Sequence, residues 1–319
     1  MAYETVTNDP TPREVNERFL AFLDGENGQK KQAGDAASDY IRDKLREESF
    51  LENILPPIPV GNNDLDIQVD TDKPAIVQFK EPGSPGAVTL PFGQLPYNEY
   101  IHGPRFRVVF DRIVSPKFVA DVDTLRTYTD IDIRQVLSDN SIKDMGAEQD
   151  AKFLGAVNYL LSNGTFAAGA TVTATGVVQW QNITGGITRE TISQAKTVMM
   201  KTPSRFAPSK ALLNMITFTA FEAWGRDEVG GDLAEEIFIN GITERRIGGV
   251  DYIVTIKTDL VPDNVIYWFS APKNLGKFMV LEDSTMYIDK KAYFIEFFCY
   301  KTIGGTIANV AGVARTDFV

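Results

Sequence analysis

The stretch that decides the fold is residues 130–163, which reads DIDIRQVLSDNSIKDMGAEQDAKFLGAVNYLLSN. Apolar residues recur in it every three or four positions, which is the spacing of one face of an α-helix. These residues are Ile133, Val136, Leu137, Met145, Phe153, Leu154, Val157, Leu160 and Leu161. Charged residues such as Asp139, Glu148 and Asp150 belong to the opposite, solvent-facing side. The pattern predicts one long amphipathic helix.

Both ends of this helix carry sequence signals. Thr129 or Asp130 can accept hydrogen bonds from the free N–H groups of the first turn, and Asn163-Gly164 provides a left-handed stop. An unbroken helix would span roughly 50 Å, although the polar run 138–141 could divide it. Two interpretations stay open on this pattern alone: a long supporting helix, or an ordinary core helix of a mixed domain.

Composition excludes several classes of function. The chain has 319 residues, a net charge of −11 and a hydrophobic content of 43%, which is an ordinary balance for one large or two modest globular domains. Gripping nucleic acid through its phosphates requires clustered Lys and Arg, so we expect any DNA contact to be loose. We see no membrane-spanning run and no signal-peptide pattern, which leads us to expect a reducing cytosol.

Catalytic signatures are weak throughout the chain. There is one cysteine, Cys299, and one histidine, His102, so neither a disulfide framework, a Cys/His zinc site nor a His-dependent triad can be assembled. We expect Cys299 to act as a small hydrophobe in a strand. Asp-x-Asp pairs begin at positions 64, 70, 121 and 130, but none continues into a calcium loop, so we interpret them as turn carboxylates. We predict no catalytic residue, metal or cofactor.

The first sixty residues form an acidic and mostly polar segment. Two helices are predicted in it, over 12–23 and 33–53, and the second carries only a narrow apolar stripe that includes Tyr40, Leu45 and Phe50. Such a stripe is too thin to close a core of its own. Either the two helices pack on their own domain, or the segment is an arm that reaches a neighbour. The run 56–59, rich in proline, ends the helical part.

Short strands separated by turn residues follow from Leu65 to Leu90. They carry few apolar side chains, among them Ile76, Phe79 and Val88, so this ribbon either projects from the body and lies on another surface or forms an edge sheet over a core. Downstream we predict a strand over 105–113, a helix from Thr188 to about Lys201 and a buried helix over 210–224. The clearest later strands are 252–256, 265–269, 278–281, 293–300 and 307–314.

In this order of elements, the chain resembles the major capsid proteins of tailed bacterial viruses, which have the Hong Kong 97-type fold. The phrases that carry the likeness are RFRVVF at 105–110 before SPKF at 115–118, EQD at 148–150, PSKALLN at 208–214, NVIY at 264–267 with PKNLG at 272–276, and IANVAGVA at 307–314. Each is weak alone, and their order makes the likeness persuasive.

The resemblance implies an α+β Hong Kong 97-type capsid fold with five parts. Residues 1–61 would be the N-terminal arm, 62–103 an extended β-ribbon loop that lies over an adjacent subunit, and 104–163 a peripheral domain with its long spine helix. Residues 164–272 would be the axial domain, and the strands of 273–319 would return to the peripheral domain. The arm and the loop would bury their apolar residues against other copies.

Candidate inter-subunit contacts therefore lie in the arm and the loop: Tyr40, Leu45, Phe50, Ile76, Phe79, Lys80 and Val88. The resemblance further implies hexamers and pentamers in an icosahedral shell around double-stranded DNA, assembled in the cytoplasm of a host bacterium and ending in the virion. The implied partners are a portal and possible scaffolding or decoration proteins.

Two other functions stay open. The same fold could form an encapsulin-like compartment that houses a cargo enzyme. A carboxylate-dependent glycoside hydrolase would need two facing Asp or Glu side chains, and nothing in the spacing selects such a pair.

Overall fold

The computed structural model describes residues 49–66, 73–79, 89–94, 105–121, 133–161, 179–202, 204–222, 224 and 246–319. The helices of these ranges are α1 (Phe50–Ile54), α2 (Ile133–Leu161), α3 (Arg189–Met200), α4 (Met215–Glu222) and α5 (Pro272–Leu275). The strands are β1 (Pro57–Pro59), β2 (Ala75–Phe79), β3 (Arg105–Val109), β4 (Asp111–Val114), β5 (Phe118–Asp121), β6 (Trp180–Ile183), β7 (Lys210–Asn214), β8 (Arg246–Ile247), β9 (Val250–Thr255), β10 (Val265–Phe269), β11 (Gly276–Lys291), β12 (Phe294–Ile307) and β13 (Val313–Phe318). None of these helices is long and apolar enough to cross a membrane.

Helix α2 confirms the central prediction. It runs unbroken for 29 residues, which corresponds to about 43 Å at the standard rise of an α-helix, and the polar run 138–141 does not interrupt it. Its described apolar face is buried at Met145, Phe153, Leu154, Val157 and Leu161. This face packs against strands of two separate sheets, so α2 is a central element of the core.

A six-stranded sheet lies on one side of α2, with the order β6-β13-β10-β7-β9-β8. Its middle strand β10 is buried on both faces. Val265, Tyr267 and Phe269 point into the core that contains α2, whereas Ile266 and Trp268 point into a second core formed with α3 and α4. Successive side chains of a strand point to opposite faces, so this one strand belongs to both cores.

A five-stranded sheet closes the other side of the α2 core. Its order is β1-β11-β12-β4, and β5 also pairs with β12. Strands β11 and β12 form a long antiparallel hairpin whose inner face contributes Phe278, Met286, Ile288, Ile295, Phe297, Cys299 and Ile303 to the core. The hairpin ends at a two-residue turn at 292–293, and β5 pairs with β12 up to Phe294, next to this turn.

The predicted ribbon is a two-stranded sheet where the structure describes it. β2 pairs antiparallel with β3 from Ala75–Val109 to Phe79–Arg105. This small sheet packs on the outer face of the hairpin near its base, where Ile76, Val108, Phe110 and Met279 form a third core. It therefore joins the ribbon to the body at a defined place.

The prediction of a single helix over 210–224 is wrong in its first part. Lys210–Asn214 is the buried strand β7, paired with β10 and β9, and the helix begins only at Met215. A short continuous apolar run is consistent with either a buried helix or a buried strand, because periodicity does not separate the two. The predicted helix from Thr188 is confirmed, and the Thr188 side chain accepts a hydrogen bond from the N–H of Thr191.

Two further predictions are corrected at element boundaries. The helix predicted over 33–53 does not continue through Ser49, whose backbone is extended, and α1 begins at Phe50; its earlier part lies outside the described residues. The strand predicted over 307–314 is a 3₁₀ turn at 310–312 followed by β13. Because β13 pairs with β10 and β6, the last strand completes the six-stranded sheet and does not return with β11 and β12.

Gly155 offers a direct test of the long helix. It is exposed in the interior of α2, and an added Cβ would meet nothing within 4 Å. Gly155→Ala is expected to stabilise the chain by about 1 kcal/mol, because alanine restricts the unfolded backbone and favours the helix. Chemical denaturation with urea measures this change, and a destabilised variant would contradict the described helix.

Candidate assembly site

Of the seven predicted contact residues, the structure describes the side chains of two, Phe50 and Ile76. Tyr40, Leu45, Lys80 and Val88 lie outside the described residues, and Phe79 is described only as the end of β2. Phe50 and Ile76 are 3% and 6% exposed within their own chain. The argument that these two side chains need a neighbouring subunit to cover them is therefore wrong, since Phe50 packs in the α2 core and Ile76 on the hairpin.

The start of the described chain is held by a polar cluster that we call the arm anchor: Ser49, Glu52, Gln149, Asp150, Lys257 and Lys301. Its first half is centred on the Asp150 carboxylate, which lies in the middle of α2 and is fully buried. Asp150 Oδ1 accepts hydrogen bonds from the Ser49 hydroxyl at 2.8 Å and from the N–H of Leu51 at 3.1 Å. A carboxylate from α2 thus caps the N-terminus of α1 across 99 residues of sequence.

The charge of Asp150 is balanced by Lys257, which follows β9. Lys257 Nζ lies 2.7 Å from Asp150 Oδ2 and 5.7 Å from the ring centre of Phe50. Burial raises the pKa of Asp150 above that of an exposed carboxyl, and the Lys257 ammonium, the Leu51 N–H and the Ser49 hydroxyl partly offset this rise. These donors supply the hydrogen bonds that a buried carboxylate requires.

The second half of the anchor joins α1 to the hairpin. Lys301 Nζ, on β12, lies 2.8 Å from Glu52 Oε1 on α1. Gln149 Nε2 donates to Ser49 Oγ at 3.0 Å and to Glu52 Oε1 at 3.3 Å, and so links the two halves. Two carboxylates and two ammonium groups therefore hold α1 against α2 and both sheets.

Sequence reasoning placed Asp150 on the solvent side of the helix, and the structure corrects this. The residue faces α1, a segment about a hundred positions earlier, and no local pattern shows that partner. Asp144 and Glu148 on the same helix are exposed. In the sequence they are charged residues between apolar ones, as Asp150 is, so the pattern does not distinguish the buried carboxylate from the exposed ones.

The base of the ribbon is held by close backbone approach. A Cβ added at Gly304 of β12 would lie 2.9 Å from Val108 Cγ1, 3.0 Å from the Val109 carbonyl oxygen and 3.1 Å from Phe110 Cδ1. Only the absence of a side chain lets β3 lie on β12 at this distance. Lys277 Nζ also donates to Gln78 Oε1 at 2.7 Å, so β2 is tied to β11.

A small cavity lies beside the arm anchor in the described part of the chain. One cavity of about 220 Å³ lies between β1 and β11 beside the arm anchor, lined by Glu52, Pro57, Pro59, Val60, Val280, Leu281, Asp283 and Lys301. This is below the usual volume of a small-molecule site, roughly 300–1,000 Å³. Among the described residues, no group of three His, Cys, Asp or Glu side chains could hold a metal ion.

Of the other residues considered as chemical groups, the structure describes Cys299 and Asp64, and both have structural roles. Cys299 is fully buried in β12, and burial raises the pKa of its thiol to about 11, so it stays protonated and unreactive at neutral pH. Its prediction as a small hydrophobe in a strand is confirmed. Asp64 Oδ2 accepts a hydrogen bond from the N–H of Gly61, as a turn carboxylate does. His102 lies outside the described residues.

The chain is similar to known proteins in its structure. No protein-family model matches the chain, and no curated protein does. A capsid subunit described as "Capsid of native GTA particle" is similar over 84% of this chain and 89% of its own, with 14% identity and a TM-score of 0.53. A structure from Microbacterium phage Oxtober96 is similar over 85% and 91%, with 12% identity and a TM-score of 0.55.

A third similar structure is a virus-like particle from Pyrococcus furiosus. It matches 89% of this chain and 98% of its own, with 11% identity and a TM-score of 0.53. At these identities the likeness establishes the fold, which is the α+β Hong Kong 97-type fold.

Proposed function

From the shared fold as premise, we propose that this chain is the major capsid protein of a tailed bacteriophage, a structural protein that self-assembles into hexamers and pentamers of an icosahedral shell around double-stranded DNA. The observation that carries the proposal is the extent of the likeness to shell subunits. It covers 84% of this chain and 89% of the subunit from the GTA particle capsid. The similarity thus extends over most of both chains and is not confined to one shared motif.

The contacts of the described chain support a packed body to which the proposed arm and loop are attached. α2, the two larger sheets and the arm anchor form a packed body, to which the described chain is fixed at Ser49 and at β2–β3. We keep the proposed division into arm 1–61, loop 62–103, peripheral domain 104–163, axial domain 164–272 and terminal strands 273–319. β13 alone is reassigned to the axial sheet.

Tyr40, Leu45, Phe79, Lys80 and Val88 stay as proposed contacts with neighbouring copies. The arm anchor supports this proposal, because the arm can bind a neighbouring copy firmly only if Ser49 and α1, where the arm joins the body, are themselves fixed. In the proposal the shell's identical copies supply the surfaces that the thin apolar stripe of the arm lacks.

The negative net charge of the chain supports the proposal that the shell contacts its DNA only loosely. A net charge of −11 repels phosphate, so the inner wall contacts packaged DNA loosely and does not impede its packing or release. The subunit has no enzymatic role in this proposal. It assembles in the host bacterial cytoplasm with a portal and possible scaffolding or decoration proteins, and it ends in the virion capsid.

An encapsulin-like compartment is the second candidate. It is favoured by one observation, the match that covers 98% of the chain of the Pyrococcus furiosus virus-like particle. Both candidates require a self-assembling shell, and they differ only in the contents.

Self-assembly is the first test. Purified chain is expected to sediment as capsomers or closed shells when its concentration is raised, because each copy presents several contact surfaces. Sedimentation velocity and negative-stain electron microscopy measure this outcome. A chain that stays strictly monomeric at high concentration, both alone and with proteins encoded beside it, would overturn both candidates.

The contents decide between the candidates. Particles isolated from the natural source are expected to hold nuclease-protected double-stranded DNA. Particles that hold a stoichiometric enzyme and no DNA would establish the compartment in place of the virion.

A further inference from the structure

Phe92 lies at the tip of a tight turn in the loop, and its side chain is fully open to solvent. The turn runs from Pro91 to Gln94, and the N–H of Gln94 donates to the Pro91 carbonyl oxygen at 3.2 Å. Gly93 has a φ of +89°, as the third position of a type II turn requires. The relative exposure of Phe92 is 110%, so no described part of its own chain covers the ring.

This turn presents the ring in a fixed position. The hydrogen bond across the turn and the positive φ of Gly93 restrict the backbone on either side of Phe92. A ring that is already held in place loses little conformational freedom when a partner covers it. Pro91, Gly93 and Gln94 carry no charge, so nothing in the turn opposes burial of the ring in an apolar site.

The body of the chain contains a cavity of matching size. It is the cavity of about 220 Å³ between β1 and β11, which we call the β1–β11 cavity. Pro59, which lines it, is exposed, so the cavity opens to solvent. An apolar cavity of roughly 150 Å³ is large enough to bind a benzene ring. The phenyl ring of a phenylalanine therefore fits this space.

The lining of the β1–β11 cavity suits an aromatic ring. Its aliphatic walls are formed by Pro57, Pro59, Val60, Val280 and Leu281. Its charged groups already have partners, since Lys301 Nζ lies 2.8 Å from Glu52 Oε1 and Asp283 Oδ1 accepts a hydrogen bond from the N–H of Ser284 at 2.7 Å. The Lys301 ammonium lies 5.9 Å from the ring centre of Phe278, and it can attract a second ring in the cavity by the same cation–π interaction.

We propose that the ring of Phe92 inserts into the β1–β11 cavity of an adjacent copy of this chain. This inference rests on the proposed function, in which the loop lies over a neighbouring subunit. The ring and the cavity are different surfaces, so each copy gives its ring to one neighbour and receives a ring from another. Such a heterologous contact repeats from copy to copy and closes into rings of subunits, as hexamers and pentamers require.

The contact is expected to be weak when it acts alone. Burying one phenylalanine side chain strengthens association by roughly tenfold to a hundredfold. The insertion of Phe92 therefore adds to the other contacts of a shell and does not replace them. Its loss should weaken assembly by the same factor.

Disulfide trapping tests where the turn binds. The only natural cysteine, Cys299, is buried, so Gln94→Cys with Pro59→Cys places accessible thiols beside the ring and at the mouth of the cavity while Phe92 stays in place. In concentrated protein we expect a reducible ladder of dimers, trimers and larger species. It should form at least tenfold faster than with Gln94→Cys and Asp144→Cys, whose second thiol lies at an exposed position of α2.

The dependence on the ring makes this test specific. Adding Phe92→Ala to Gln94→Cys with Pro59→Cys should slow the trapping to the rate of the Asp144→Cys control. Trapping at the control rate from the outset, or trapping that Phe92→Ala does not slow, would overturn the proposal.

Association of single variants gives an independent measurement. Phe92→Ala is expected to weaken association at least tenfold in sedimentation, while the melting temperature of the unassembled subunit stays unchanged because the ring is exposed. Phe92→Leu keeps an apolar side chain and should lose less. Gly93→Ala should also weaken association, since its added Cβ meets nothing within 4 Å but the positive φ is strained for alanine.

The outcomes separate this contact from the proposed function. Shells that form equally well with Phe92→Ala would overturn the insertion of the ring and leave the proposed function intact. A wild-type chain that does not associate would overturn both.

Discussion

Asp150→Ala is expected to lower the free energy of unfolding by about 3–5 kcal/mol, because it leaves the Lys257 ammonium without its buried partner. The variant also removes the acceptor for the Ser49 hydroxyl and for the N–H groups of Phe50 and Leu51. Denaturant unfolding followed by circular dichroism measures the loss. The same variant should release the root of the arm, so shells should form poorly even at temperatures where the body remains folded.

Two matched variants make this result specific. Asp144→Ala removes an exposed carboxylate from the same helix and should change stability by less than about 0.5 kcal/mol. Asp150→Asn keeps an acceptor oxygen and loses the charge, so its effect should fall between the other two. If Asp150→Ala were as stable as Asp144→Ala, the arm anchor would not exist in solution.

Gly304→Val is expected to cost about 2–3 kcal/mol, since the new side chain would overlap β3. The nearest atoms, Val108 Cγ1 and the Val109 carbonyl oxygen, lie within 3.0 Å of the added Cβ. Because the backbone carbonyl cannot rotate away without breaking the sheet, β2–β3 should separate from the hairpin. Faster amide hydrogen exchange over 105–110 would report that separation, and the proposed loop contact with a neighbour should be lost with it.

The neighbouring glycine provides the control. A Cβ at Gly305 meets only Phe278 Cδ2, at 3.7 Å, which is an ordinary contact. Gly305→Ala should therefore leave the exchange of residues 105–110 unchanged. Equal exchange in Gly304→Val and Gly305→Ala would show that β3 does not pack on β12 at this distance.

The arm anchor shows how far sequence reasoning could go at the candidate site. Its apolar part is visible only in outline, since Phe50 stands on the predicted apolar stripe but is predicted to contact a neighbouring copy and not the core of its own chain. Its polar part is not visible, because Glu52 and Lys301 are 249 residues apart and neither stands in a motif. Tyr287 and Phe298 likewise become neighbours only through the register of the hairpin.

What the sequence by itself determined is local. The three-and-four spacing of apolar residues set α2, the Thr188 cap set the start of α3, and the prolines at 56–59 ended the helical segment before them. These signals act within a few residues of the chain, so they can be recognised without knowing any partner.

What only the tertiary structure decided depends on distant partners. β7 is a strand because β9 and β10 supply its hydrogen bonds. β13 joins the six-stranded sheet because it pairs with both β6 and β10. The Asp150 carboxylate can be buried because two N–H groups of α1 donate to it and the Lys257 ammonium balances its charge. The burial and pairing of these groups depend on the folded chain. A buried polar group lowers the free energy of the fold only when its hydrogen-bond partner is in place.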